Sequence, residues 1–518
     1  MKTLQKNTVI LTVLILLFTV THCMHLCAQE DSYHGKQILF PRAFAIAIDD
    51  LGWMEGSSLG DTGGPWRAGV RRSFDVRDYK PVVEIGQAVG VRFQGLFIMG
   101  ELDRLGVVAK KCPTTSQFGT AVDNSPNIGP RQIEIMDYVK ANAAHLEFGL
   151  HGVGHEYWVE GKRTRAEWYD LDNNAPRDEN IMRKTLECFE DIMAQYGLTA
   201  ANGHSNPESF VPCAYGYYWN PSASYSTGKI MSDFGVKYVN TLFSYIEELN
   251  PPPRASGGFD NGVLVLDRIN YGNPWYELAS LPTEPLESFE TDIIETHWPN
   301  LLAADDFLQP AVNEEWIRFL RNVQAHPNHY LAKNTEQLYS QWLYKKHTLI
   351  EETDPGVVII DNRQMPGEAY TLEKVSNLVL AVPLNEGESV SFAAIDGKPV
   401  AAYFEDGGFG YIYLPPLERS IFRFEYKTGK KQIERFVNNS GTYNVYSFLD
   451  QGSEIRIDLK MYGRQVVEIR TGKPKYVISM NEHLRIESEK YDYGRGTVLL
   501  SLNGRNIQGE RGTIILKF

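Results

Sequence analysis

The feature that most constrains this chain is an alternation of two hydrophobic rhythms. Between residue 40 and about 350, short apolar runs at 43–48, 91–98, 146–150, 210–212, 237–240, 263–269 and 293–296 take turns with helical periodicity. Ile181, Thr185, Cys188, Phe189, Ile192 and Tyr196 recur at helical spacing, and Gly197 follows as a stop. Trp316, Ile317, Leu320 and Val323 repeat the pattern, with Asn313 as a cap before them and Pro327 after. Strands alternating with helices make βα units and a mainly parallel sheet. About seven such strands predict a (β/α) barrel, distorted or incomplete, over residues 29–351.

After residue 352 the rhythm changes. Strand-like stretches at 357–360, 378–382, 421–426 and 455–459 are separated by Asn385-Glu386-Gly387, Asp396-Gly397 and Asp406-Gly407-Gly408. Such spacing predicts β-sandwich modules, and a break at 427–431 divides them into 352–430 and 431–518. A chain of 518 residues is too long for one core, which agrees with this division.

The N-terminus reads as a targeting segment. Lys2 and Lys6 precede an apolar run at 8–20 that is short for a membrane span, and Ala28 precedes a polar stretch. This predicts a signal peptide over 1–28 and an exported product, periplasmic or extracellular. The alternative is a surface lipoprotein acylated at Cys23, although the preceding His22 is not the small residue such processing prefers. No later run is long and apolar enough to span a bilayer. Losing the leader removes Lys2 and Lys6 and moves the formal charge from −14 to −16. So acidic a protein repels nucleic-acid phosphates. Cys112, Cys188 and Cys213 remain; no CxxC spacing asks for a disulfide, though one is compatible, and Cys188 falls on an apolar helix face.

Four segments carry chemistry. Asp49-Asp50 ends the first apolar strand, where adjacent carboxylates are costly unless a cation or catalysis uses them. Their side chains diverge along a regular strand, but a loop beginning at Leu51-Gly52 lets both turn to one site. His151-Gly-Val-Gly-His155 follows another strand, and its glycines favour a loop that brings both imidazoles to one ion. Imidazoles beside a carboxylate suit zinc. His297, ending the run at 293–296, is placed to donate a proton at the same rim, with Trp298 beside it as a substrate contact. Residues 209–219 read as a strand leaving into an irregular loop, with backbone N–H groups for an oxyanion and rings for sugar faces. Trp53, Trp66, Trp158, Trp219 and Trp275 are candidate sugar platforms.

In this order, over about residues 40–300, the segments resemble the polysaccharide deacetylases of carbohydrate esterase family four, the NodB-homology domain. The resemblance implies Asp49 as general base and Asp50, His151 and His155 as metal ligands. The segment at 211–216 resembles the family's arginine-containing loop, which implies the Tyr215 amide as oxyanion donor; the run at 294–297 resembles its late motif and implies His297 as acid. Gly152 stands where the family has Ser or Thr. Val211 stands where it has an arginine that charge-balances the catalytic aspartate, leaving Arg71, Arg72 or Arg268 to fill that role.

The implied activity is metal-dependent removal of N- or O-acetyl groups from a polysaccharide or oligosaccharide, with water activated by the ion as nucleophile. Two readings compete with it. One is a glycoside hydrolase using paired carboxylates such as Asp49 and Glu295. The other is a non-catalytic glycan-binding protein, which Val211 favours. Oligomeric state is not legible in the sequence.

Overall fold

The computed structural model describes residues 38–57, 64–220, 222–223, 225–250 and 257–518. The expected leader over 1–28 and the Cys23 alternative lie outside the described residues.

Nine strands form the main sheet: β1 Arg42–Leu51, β2 Gln94–Ile98, β3 Gly149–Gly152, β4 Ser209–Phe210, β5 Tyr238–Thr241, β6 Gly258–Asp260, β7 Val263–Asp267, β8 Ile293–His297 and β9 His329–Leu331. Their order is β6-β7-β5-β4-β3-β2-β1-β8, with β9 also pairing β1. Neighbours are parallel except β6 and β7, which form an antiparallel hairpin. The main helices are α1 Val76–Val89, α2 Pro130–Ala141, α3 Glu179–Ala194, α4 Thr227–Phe234, α5 Gln309–Gln324 and α6 Thr335–His347.

This corrects the expected seven-stranded (β/α) barrel. The sheet is a curled half-barrel with open ends and mixed direction, and it is accompanied by several antiparallel sheets. Past β7, residue Ile269 meets Ile294 of β8 through one isolated bridge rather than a ladder. A further βα unit needs a crossover helix between β7 and β8. That connection carries Gly272, Pro274, Pro282 and Pro285, and its helical content is one short 3₁₀ turn, Leu286–Ser288.

The helices follow their sequence signals with one change. α3 buries Thr185, Cys188, Phe189 and Ile192, is capped by Asp178, and Gly197 beyond it takes the left-handed φ of 76°. α5 starts a full turn earlier than Asn313 suggested, because Pro310 suits a helix's first turn; Asn313 is internal and bonds Glu84 at 2.9 Å. Cys112 and Cys188 form a disulfide, and Cys213 is free and buried. Closing a loop of 76 residues restricts the unfolded chain, worth about 4 kcal/mol in the chain-entropy account.

The C-terminal third, residues 349–518, is mainly β, in sheets of five, seven and four strands among the described residues. At Asp396-Gly397 both residues have positive φ (47° and 74°), as a tight hairpin turn requires. The seven-stranded sheet crosses the sequence break at 430/431: Ala402 pairs Val437 in parallel, so residues on both sides share one sheet. This C-terminal part is tied to the main sheet by bonds from Gln508 to the Phe148 carbonyl and from Arg92 to the Ile507 carbonyl. Among the described residues no helix is long and apolar enough to cross a membrane.

Candidate active site

The C-terminal ends of β1, β3 and β8 open into a cleft of about 580 Å³, lined by Asp49, Asp50, His151, His155, Tyr215 and His297 among others. That is where parallel βα architectures place reactive groups.

Asp49 and Asp50 reach this cleft together because β1 bulges. Ala47 and Ile48 pair Gln94 and Gly95, but the next pair is Leu51 with Phe97, so the register slips across the two aspartates. The strand continues to Leu51 rather than ending before it, and Asp50 adopts a left-handed φ of 67°. A bulge re-aims side chains that would otherwise alternate. β2 and β3 show the same slip opposite His151. His155, Ala214 and Tyr215, which also line the cleft, have φ of 69°, 52° and 61°. Each such residue costs on the order of 1 kcal/mol or more and persists only where its surroundings hold it.

His151 and His155 present the same nitrogen to Asp50. The His151 Nδ1–H donates to the Val211 carbonyl at 2.7 Å, and the His155 Nδ1–H donates to buried Glu156 at 2.8 Å. Both Nε2 atoms are left facing Asp50 Oδ1, at 3.6 and 3.8 Å. That oxygen is buried and has no hydrogen-bond partner. Burial draws the His155 pKa down, but Glu156 and then Asp50 outweigh it, and the group sits at about 9. Cys213 Sγ also lies near the imidazoles. Its thiol contacts the His151 carbonyl at 3.2 Å and burial pushes its pKa well up; Asp50 and Cys213 are both within reach as a third donor.

The glycines between the histidines have a steric cause. A Cβ on Gly152 would collide with the Glu167 carboxylate, and one on Gly154 with the Thr115 carbonyl. Glu167 occupies the space a Ser or Thr would use and accepts the Val153 and Gly154 amides; burial raises its pKa to about 7.

Of Arg71, Arg72 and Arg268, the one that faces Asp49 is Arg268. Its guanidinium, fully buried, grips Asp49 with two bonds of 2.8 and 2.6 Å. Burial alone would raise the Asp49 pKa, but Arg268 outweighs it and holds the carboxyl below its ordinary range. Arg71 is exposed, and Arg72 pairs with Asp78 instead. His297 Nε2 stands 3.8 Å from Asp49, and Glu295 lies 3.8 Å from Arg268.

Several expected contacts are corrected. The Tyr215 N–H turns back to the Pro212 carbonyl at 3.2 Å, so it is engaged rather than free for an oxyanion; its hydroxyl donates to Glu295 at 2.7 Å. Trp53, Trp219 and Trp298 are buried packing residues: Trp219 packs on Phe243, and Trp298 stacks on Phe74 and bonds the Asp78 carbonyl. Trp158 is buried too. Trp66 and Trp275 do line the cleft, edge to face at 5.4 Å, with Trp275 5.9 Å from His297. Glu156 and Glu167 escaped the sequence reading. Glu156 was signalled by its place beside His155; Glu167 had no local signal.

No family model matches this chain, and no curated protein matches it. Among solved structures there is a match to a GH57-type branching enzyme from the archaeon Pyrococcus horikoshii, at 11% identity and a TM-score of 0.24. It covers 59% of this chain and 65% of that one, under two thirds of its length, and a likeness this low carries no argument about fold or activity.

Proposed function

We propose that this protein is a metal-dependent hydrolase that removes acyl groups, acetyl foremost, from a carbohydrate. One observation carries the reading: the buried, unpartnered Asp50 Oδ1 faced by the Nε2 atoms of His151 and His155. Each imidazole donates its other N–H to an acceptor, Val211 or Glu156, which fixes the ring as metal-binding histidines are fixed. Two imidazoles and a carboxylate suit a divalent ion, zinc foremost. Such an ion supplies a Lewis acid that polarises an acyl carbonyl and makes water easier to deprotonate.

The chain's own groups do the rest. Arg268 keeps Asp49 ionised, and each Asp49 oxygen retains a lone pair to accept a proton from the attacking water. His297, beside Asp49 on the neighbouring strand, returns a proton to the leaving amine or alcohol. Trp66 and Trp275 form a wall on which a sugar ring can lie. The Cys112–Cys188 bridge suits an oxidising compartment and supports the export reading.

The two-carboxylate glycosidase reading finds less support. Asp49 is clamped by Arg268 and held below its ordinary range, and Glu295 is engaged by the Tyr215 hydroxyl and lies beside the same arginine, so neither carboxylate is free to face a glycosidic oxygen. The test is bound metal by elemental analysis on wild type and Asp50→Ala, alongside acetate release from acetylated oligosaccharides. About one ion per chain, lost with acetate release in the variant, is expected. A wild type that binds no metal after zinc is supplied would sink the reading.

A further inference from the structure

Directly after His155 the chain makes a short hairpin, Tyr157–Val159 paired with Lys162–Thr164, turned by Glu160 and Gly161 at positive φ. It carries Lys162, Arg163 and Arg165 within four positions, in a protein with 65 acidic and 51 basic residues. Arg165 is exposed and lines the cleft beside Trp66. Arg163 lies over the Trp66 ring at 5.6 Å and bonds the Gly64 carbonyl at 3.1 Å, which fixes the arm against the sugar wall.

These cations stand at the rim of the cleft without carboxylate partners among the described residues. Nearby Arg67 takes Glu101 at 2.6 Å, and Arg177 reaches Asp170 at 3.7 Å. Among the described residues no acid pairs with Lys162, Arg163 or Arg165, and Glu160, the acid of the turn, is not bonded to them. Unpaired cations on an acidic surface, at the edge of a cleft, attract and orient an anionic ligand. Guanidinium groups moreover match carboxylate and sulfate oxygens in a planar fork.

We propose that this hairpin reads negative charge on the substrate: the glycan entering the cleft is acidic, with carboxylate or sulfate on sugars next to the acylated one. The proposal rests on the deacylase reading, so its test has a readout independent of catalysis. The full chain is run in native gels containing polygalacturonate, dextran sulfate or neutral xylan. Retardation by an acidic polymer, absent with xylan and relieved by salt, is expected, and the stronger of the two acidic arms names the anion. Arg165→Gln should weaken the retardation, and Arg165→Glu should abolish it, with melting temperature unchanged as the fold control. On acetylated polygalacturonate the kcat/KM of Arg165→Gln should fall about tenfold through KM, a clearly larger fall than on acetylated xylan. Equal retardation by xylan and the acidic polymers, or no change in Arg165→Glu, overturns the proposal. Retardation that follows Arg165 without acetate release from any polymer upholds the arm and overturns the deacylase reading instead.

Discussion

Two clusters of buried charge sit at opposite ends of the same sheet. At the C-terminal ends of the strands are Asp49, Asp50, Arg268, Glu295 and the histidines. At the N-terminal ends, where the C-terminal β region docks, Lys460 bridges Glu208 and Glu336 at 3.0 Å each, and Arg92 pairs Glu147 at 2.7 Å. Asn444 and Tyr446 bond Glu336 as well, and Thr335 bonds Glu147. Both clusters are buried, so burial of charge does not tell them apart. Their saturation does. The closed cluster satisfies its charged groups with ions and hydrogen bonds. The open one leaves Asp50 Oδ1, Arg268 Nε, Glu295 Oε2 and Glu156 Oε2 without hydrogen-bond partners, beside residues of left-handed φ. A closed network holds two parts of a chain together; an unsaturated one at a cleft keeps capacity for something else.

The contrast can be broken by experiment. The largest effect belongs to the open cluster: His155→Ala should remove the bound ion and several kcal/mol of transition-state stabilisation, roughly a thousandfold in rate. Glu156→Gln should weaken metal binding about 10- to 100-fold with the ligands intact, read by chelator competition. If both variants kept full metal, the saturation argument would fail at its centre.

Arg268→Met and Lys460→Met then separate the two clusters. Each strands buried carboxylate charge at a cost of about 3–5 kcal/mol, measured by denaturant unfolding. Only Arg268→Met should alter the chemistry of the molecules that remain folded. Losing the arginine raises the Asp49 pKa from its lowered value, so the acid limb of the pH–rate profile moves to higher pH. Lys460→Met should leave that profile in place. Its mark is on stability instead: burial raises the Glu208 pKa, but Lys460 and Lys237 outweigh it and hold the group at about 2, against 4.5 ordinarily. That contribution is present above pH 4.5 and disappears as pH falls toward 2, and the variant should flatten this acid slope.

Smaller effects sharpen the picture. Gly152→Ser should cost about 1–3 kcal/mol because its Cβ meets Glu167. Trp275→Ala should raise KM roughly fivefold with little change in kcat. An unchanged KM would mean that Trp66 and Trp275 pack on each other without touching sugar.

Asp49-Asp50, His151 and His297 were legible in the sequence because each closes an apolar run, and a parallel strand delivers its last residues to one end of a sheet; His155 was legible by its spacing from His151. Arg268 was legible only as one of three arginines, because it lies 219 residues from Asp49 in the chain. Glu167 was hidden for a similar reason: its partners, the Val153 and Gly154 amides, come together only when β3 turns back on itself. The tryptophans misled because a ring that stacks on sugar and a ring that fills a core have the same composition. What the sequence determined by itself is the order of elements and the residues at their ends, since hydrophobic periodicity and turn chemistry act locally. Tertiary structure alone decided that the sheet stays open, which arginine faces Asp49 and which rings meet the cleft. Those depend on bulges, steric fit and the packing of segments far apart in the chain.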